Sequence, residues 1–313
     1  MILTHTATPL EDGVALLSIL RHSMGLSGGM VKALKRHGGL DVNGALQFVT
    51  YRVSSGDVIT VNLTTAETSS DNIPEHTPVD VLYEDAGLLA VNKPPGVIVH
   101  PSRARFTGTL ANFVAGHLVA SGQPPHLHLV NRLDRDTSGV VLFAKNAHLK
   151  EQATVALRSA TKRYLALTHG AIIPPQGTIN APIRRLEPQN LYRITSPDGK
   201  HAVTHYNTLW SGQISGHPAG LLALTLETGR THQIRVHLLS KHTPILGDGL
   251  YFTDASQALA GQLGVARQLL HASSLSFIHP ITQAPIAIHA PIDDPIFRGL
   301  IATAGYALDR ESV

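Results

Sequence analysis

Four charged side chains crowd one short stretch, "LVNRLDRDTSGVVLFAKN" at residues 129–146, where Arg132, Asp134, Arg135 and Asp136 stand almost side by side. Asp136, Thr137, Ser138 and Gly139 are turn formers, and an apolar run follows from Val140. A carboxylate on a loop beside a buried strand can be held rigidly and still reach a substrate. A neighbouring guanidinium favours the ionised form of a carboxyl group, and a fixed, ionised aspartate suits nucleophilic or base chemistry. On charge pattern alone the plainer alternative, a structural ion-pair turn, is favoured, because such pairs also form far from any active site.

Two further clusters carry chemistry. In "ETGRTHQIRVH", residues 227–237, Thr228 and Gly229 end a strand and Arg230 opens an expected helix. Arg230 and His232 lie near its start, with Arg235 a turn further on. A helix start offers donors and positive potential to an anion. A cap with solvated arginines is the commoner outcome for a single arginine. In "TKRYLALTHG", Lys162 and Tyr164 are two residues apart and share a face of a strand. The tyrosine ring could stack on a nucleobase, although half-buried packing is the usual role of a lone tyrosine. The nineteen histidines are scattered without an HExxH pattern, so no metal site is expected. His232 and His237 are five apart and fall on different parts of a helix, which weakens a metal-dependent hydrolase reading.

The elements that must position these residues fall into two parts. "GVALLSILRHSM" and "SGGMVKALKRHGG" have helical spacing, with Ser27 as a cap and Gly38 and Gly39 as a stop. "LDVNGA" carries an Asn-Gly hairpin signal, and "YRVSSGDVITVNL" offers an alternating strand. Residues 1–63 are therefore expected to form a small α/β module. The polar segment 64–77 reads as a linker, and 78–313 as the larger domain. There "PVDVLYED", "GLLAVNKPPGVIVHP", "GVVLFAK", "KRYLALTHG", "AVTHYNTLW" and "AGLLALTLET" are strand-like, while "GTLANFVAGHLVA", "AHLKEQATVALRS" and "GRTHQIRVHLLSKH" are helix-like. The pattern predicts an α+β fold with an extended, mainly antiparallel mixed sheet flanked by helices.

Bulk properties narrow the class. A chain of 313 residues can bury a full-sized core. It contains no cysteine, which excludes disulfides and thiolate metal sites. No long apolar run indicates a membrane span, and the opening residues lack signal-peptide features, so a cytoplasmic location is the expectation. Net charge is only +3, but residues 20–52 carry Arg21, Lys32, Lys35, Arg36 and Arg52 against the single acid Asp41. That segment is a candidate surface for phosphates, with a solvated helix face as the alternative.

Taken together, these segments resemble the RluA-type RNA pseudouridine synthases. "VNRLDRDTSGVVLFAK" is similar to that family's HRLD-x-x-TSG signature, "KRYLAL" to its lysine–x–tyrosine strand, and "TGRTHQIRVHLLSKHTPILGDGLY" to its second long signature. "LLAVNKPPGVIVHP" and "LLHASSLSFIHPITQAP" resemble its opening and closing segments. The resemblance runs from about residue 78 to 295, in the family's order. Residues 13–63 resemble the small S-four-type RNA-binding module. Asn131 stands where the family usually has histidine.

The resemblance implies isomerisation of uridine to pseudouridine in ribosomal RNA of the large subunit, in transfer RNA, or in both, with no cofactor and no metal. It implies Asp134 as the catalytic aspartate, with Asp136 shaping the turn. Arg230 would lie against Asp134, with Arg235 as the other candidate. Tyr164 would stack on the flipped uridine and is the nearest candidate base, and Arg132 would fill the gap the base leaves. By their charge, Lys32, Lys35, Arg36, Arg52, Lys162 and Arg235 are expected to contact RNA, joined by Lys93, Arg163, Arg184 and Arg185. A monomer would suffice. The competing reading is a non-catalytic RNA-binding or assembly factor of the same fold, against which the joint presence of Asp134, Arg230 and Tyr164 argues.

Overall fold

The computed structural model describes residues 2–37, 39–63, 72–101, 106–187 and 189–306, apart from the side chains of Ala33, Arg36 and His37. Much of the linker expected at 64–77 falls outside these residues.

The N-terminal part holds β1 (Ile2–Thr6), α1 (Leu16–His22), α2 (Gly28–His37), β2 (Leu40–Val42), β3 (Ala45–Leu46) and β4 (Val58–Asn62). The strands form one sheet in the order β1-β4-β2-β3. Ser27 Oγ accepts from Met30 N at 3.2 Å, so it starts α2 as its position suggests. Asn43 and Gly44 both have positive φ, the backbone that a two-residue hairpin demands and that an Asn-Gly pair supplies cheaply. Leu16, Ile19, Leu20, Val31 and Leu34 bury against Ile59 and Val61 in a hydrophobic cluster that also receives Ala147 from the larger part.

The larger part is built on a ten-stranded sheet. Its path runs β10 (Gln176–Asn180), β13 (Val203–Ile214), β14 (His217–Leu226), β9 (Thr161–His169), β15 (Leu270–Ile278), β8 (Ser138–Ala144), β6 (Leu88–Lys93) and β5 (Asp80–Glu84). β7 (His128–Leu129) pairs with β8, and β16 (Pro285–His289) with β15. All neighbours are antiparallel except β15 and β8. A separate hairpin joins β11 (Ile183–Arg185) to β12 (Arg193–Thr195).

The apolar runs are explained by burial on both faces. Leu88 and Ala90 of β6, with Leu142 and Ala144 of β8, pack under α4 (Ala147–Ala156) through Leu149 and Ala153. Leu89, Val91, Val141 and Phe143 pack on the other face against α3 (Leu110–Ala120) through Leu110, Val114 and Leu118. α5 (Gln233–Ser240) places Ile234 and Leu238 against Leu224 and Tyr206. α6 (Asp254–Gln262) and α7 (Pro295–Thr303) cover the face of β9 and β14 with Leu259, Phe297 and Ile301.

Two expectations need correction. The "GVIVHP" half of "GLLAVNKPPGVIVHP" is not a strand and makes only an isolated bridge between Ile98 and Thr109. The helix expected to open at Arg230 begins at Gln233, because Gln233 Oε1 takes both the Thr228 hydroxyl (2.8 Å) and Arg230 N–H (2.9 Å) and pins a turn there.

Candidate active site

The loop before β8 is anchored from three sides. Asn131 Oδ1 accepts from Leu142 N at 2.7 Å and Asn131 Nδ2 donates to Val140 O at 3.3 Å, which ties the loop to its own strand. Thr137 N donates to Asp134 O at 3.2 Å and closes the turn. At Gly139 a Cβ would stand 2.1 Å from Ala272 O, so only glycine lets β8 come this close to β15.

Lys93 forms the third anchor, and this corrects its expected role as a phosphate contact. Its side chain is completely buried, and Nζ donates to Pro94 O (2.7 Å), Val97 O (2.9 Å) and Arg135 O (2.7 Å). Three acceptors use the three N–H bonds that only an ammonium supplies. Burial draws its pKa down to about 7, against the opposing charges of Asp136 and Asp134. Lys93→Met is expected to remove the donor shared by three partly buried carbonyls, at about 0.5–1.5 kcal/mol for each hydrogen bond lost, and so to lower the denaturation midpoint. An unchanged midpoint in a urea titration would show that those carbonyls find other partners.

The two aspartates of the loop part company. Asp136 pairs with its neighbour Arg135, Nη2 to Oδ2 at 2.9 Å, on the exposed side. Asp134 Oδ2 instead accepts from Arg235 Nη1 at 3.0 Å across the cleft. Arg235 is the arginine that pairs with Asp134. Arg230, the first candidate, donates from Nε to His201 O at 2.9 Å and lines the cavity at its edge. The reason is the shortened helix: with α5 starting at Gln233, position 235 faces inward and position 230 lies in the exposed turn.

Arg235 is gripped from behind. Its Nε and Nη2 donate to Asp248 Oδ2 (2.7 Å) and Oδ1 (2.8 Å), and the guanidinium lies 4.9 Å from the Tyr251 ring centroid. Asp248 has no exposed side-chain surface and also accepts the backbone N–H of Leu250 and Tyr251 at 2.9 Å each. Burial opposes the charge of Arg235, but hydrogen bonding and charge from Asp248, then Asp134, outweigh it and raise its pKa. A bidentate grip through two nitrogens leaves Nη1 aimed at Asp134 in one orientation. Sequence reasoning missed Asp248 and Tyr251, although a buried arginine requires a buried acid and "LGDGLY" contains one.

Above this pair lies a cavity of about 100 Å³ bounded by Arg132, Asp134, Tyr164, Arg230, His232 and Arg235 among others. It opens into a second space of about 690 Å³ that shares Arg132, Asp134, His232 and Arg235 and reaches His100 and Leu191. Arg132 is exposed at the junction. Burial, then the charge of Asp134, push the Tyr164 phenol well above the ordinary tyrosine range. That direction favours the neutral phenol in the free protein.

The remaining predicted contacts divide. Lys162 does not face this cavity: its Nζ donates to Leu157 O at 2.6 Å, where a cation suits the C-terminal end of α4. Arg184 is engaged with Asp198 at 3.2 Å. Lys32 and Lys35 are exposed on one face of α2, and Arg52, exposed as well, donates to Gly13 O at 3.0 Å. The side chain of Arg36 lies outside the described residues. Among the described residues no cluster of three or more His, Asp or Glu side chains is arranged to hold a metal ion, and no helix is long and apolar enough to cross a membrane.

Sequence comparison gives the class, an RNA-modifying isomerase, and the chain belongs to the RluA-type RNA pseudouridine synthase family. A family model described as RNA pseudouridylate synthase matches residues 87–240. An uncharacterised RNA pseudouridine synthase of Bacillus subtilis, YjbO, is 38% identical over 86% of this chain and 92% of its own length. Ribosomal large subunit pseudouridine synthase D of Xylella fastidiosa is 36% identical over 85% of this chain and 82% of its own. Among solved structures, human RNA pseudouridylate synthase domain containing 4 aligns at a TM-score of 0.56 and 26% identity, covering 73% of this chain and 94% of that one.

Proposed function

We propose that this enzyme isomerises specific uridines in structured RNA, of the large ribosomal subunit or transfer RNA, with Asp134 as the catalytic group. The observation that carries the reading is the Asp134–Arg235 pair at 3.0 Å, backed by Asp248 and facing a cavity walled by Tyr164. A single guanidinium occupies Oδ2. Among the described residues no donor reaches Oδ1, which leaves that oxygen to act on the nucleotide.

In the reaction the C1′–N1 bond breaks, the base turns, and a C1′–C5 bond forms. The proton at C5 leaves and N1 gains one, so no electrons are exchanged with a cofactor. Asp134 supports this by attack on C1′ or on C6, or by stabilising positive charge on the sugar as the base departs. The glycosidic bond inside a folded RNA is out of reach, so the uridine must leave its stack. Tyr164 offers a ring on which the flipped base stacks, and Arg132, exposed at the cavity junction, fills the vacated place.

The N-terminal module is read as an S-four-type RNA-binding unit that adds affinity and positions the RNA, with the reaction taking place in the cytoplasm. Lys32 and Lys35 support this by their exposure on one helix face. Replacing both with alanine is expected to flatten the dependence of log affinity on log salt by roughly 0.7–0.9 for each phosphate no longer neutralised, with the single-turnover rate nearly unchanged. A filter-binding salt titration checks this, and an unaltered slope rules the two lysines out.

The test of the activity is tritium release from RNA labelled at C5 of uridine and isolated from cells lacking the protein. Release followed by mapping identifies the uridine. Tight, salt-sensitive binding without release from any RNA pool would favour a non-catalytic assembly factor.

A further inference from the structure

His232 has no role in the reaction outlined so far, yet its backbone and one ring nitrogen are closely constrained. The backbone is left-handed, with φ of 60° and ψ of 18°, at the residue before α5. A histidine in that conformation is strained and persists where its surroundings require it. Its side chain is 15% exposed and borders both cavities.

The hydrogen bonds favour one position for the ring proton. Tyr251 OH accepts from Arg193 N at 2.8 Å, and its own proton then needs an acceptor. His232 Nδ1 stands 2.9 Å away and supplies it. A neutral ring that accepts at Nδ1 carries its proton on Nε2. Burial keeps the ring neutral by lowering its pKa. Asp134 opposes that, Arg235 and Arg193 add to it, and Asp248 opposes it more weakly. The Nε2–H is 3.9 Å from Asp134 Oδ2, beyond hydrogen-bond reach, and no other acceptor among the described residues lies within reach of it. A donor has thus been oriented by two residues behind it and left unused beside the reacting carboxylate.

We infer that His232 is a further catalytic residue: its Nε2–H donates a hydrogen bond to a carbonyl oxygen of the uracil ring while the base is detached from the sugar. This rests on the pseudouridine synthase reading of the same site. When the C1′–N1 bond breaks, its electron pair stays on the ring and spreads onto the two carbonyl oxygens. A fixed donor at one oxygen stabilises that charge and restrains the loose base as it turns. His232 gives up no proton, so the balance of the reaction is unchanged. Tyr251 and the Arg193 amide are positioning groups that fix the tautomer.

The experiment compares wild type, His232→Asn and His232→Gln under single turnover, with RNA affinity measured in parallel. Asparagine tolerates the left-handed backbone but is too short to reach, whereas glutamine can place an N–H near the Nε2 position. His232→Asn is expected to lose about 10²–10³-fold in rate, the cost of removing one preorganised donor, with RNA affinity held. His232→Gln recovers at least about tenfold of that loss. A rate within about threefold of wild type in His232→Asn, or a loss in affinity matching the loss in rate, overturns the inference. A nitrogen-15 spectrum of the free protein decides the tautomer independently of any RNA. An Nε2–H signal that gives way to Nδ1–H in Tyr251→Phe supports the inference, and an Nδ1–H signal in wild type refutes it. Wild type without release on any RNA would instead fault the choice of substrate, and the spectrum would still support or refute the tautomer on which the role of His232 depends.

Discussion

Asp134→Asn is expected to abolish tritium release, lowering the rate by roughly 10⁴-fold or more, while the protein still folds and binds RNA. The amide keeps an oxygen that can accept from Arg235 Nη1, so the 3.0 Å contact survives the change. It carries no charge to stabilise a sugar cation and is a poor nucleophile towards C1′ or C6. Arg235 keeps its bidentate pair with Asp248, so no buried charge is left without a partner and the cost in stability is small. Removing an anion from a cleft that receives phosphates leaves affinity unchanged or slightly raised. The measurement is a single-turnover assay beside a thermal melt. Equal release by both proteins would mean that another acid carries the chemistry, and Asp136, paired with Arg135 on the outer side of the loop, would be next in line.

Arg235→Met is expected to cost both stability and activity. The buried carboxylate of Asp248 loses its cation, and removal of one partner from a buried pair typically costs about 3–5 kcal/mol. Asp134 loses its donor and with it a defined orientation. Arg235→Lys restores a charge but not the planar fork that spans Asp248 and Asp134 at once, so it recovers part of the stability and little of the rate. The double variant Arg235→Met with Asp248→Asn separates the two effects, because the amide oxygen still accepts the N–H of Leu250 and Tyr251 while the charge is removed. Its buried charge is gone, so stability returns towards wild type, while release stays low because Asp134 remains unsupported. If the double variant is as unstable as Arg235→Met alone, the buried charge is not the cause of the loss. If Arg235→Met releases tritium at the wild-type rate, Asp134 needs no guanidinium.

Much of this was legible in the chain. "LLAVNK" and "GVVLFA" are long apolar runs because β6 and β8 are covered on both faces, and an apolar requirement on both faces leaves no other pattern. The Asn-Gly hairpin and the Ser27 cap were readable because each is decided by neighbours within a few residues. Asp134, Tyr164 and Arg132 could be singled out by residue type, turn chemistry and family resemblance. β1, β7, β10, β11, β12, β15 and β16 were not anticipated as strands. β1 and β10 are largely exposed and pair with partners far along the chain, β7, β11, β12 and β16 are short, and the histidine and serines of β15 break its apolar pattern although it is buried. α6 was missed as well, because small and polar residues interrupt its apolar stripe, and α7 was missed although Phe297, Leu300 and Ile301 recur at helical spacing.

The site shows the same division. Charge pattern placed arginines and acids near one another in sequence, but which of them pair is a matter of distance in space. Arg230 and Arg235 look alike in "GRTHQIRVH". Only the start of α5 at Gln233 turns one inward to Asp134, 101 positions earlier in the chain, and leaves the other on His201. Lys93 looked like a surface cation because lysines usually are. Its burial follows from β6 lying between β5 and β8, covered on both faces, with its end against the Asp134 loop. The residue types that can do this chemistry, and the strands that bury around them, are set locally by the amino-acid sequence. Which cation meets which anion, and which nitrogen of His232 carries a proton, is decided by tertiary packing, because hydrogen bonds act over about 3 Å and take no account of separation along the chain.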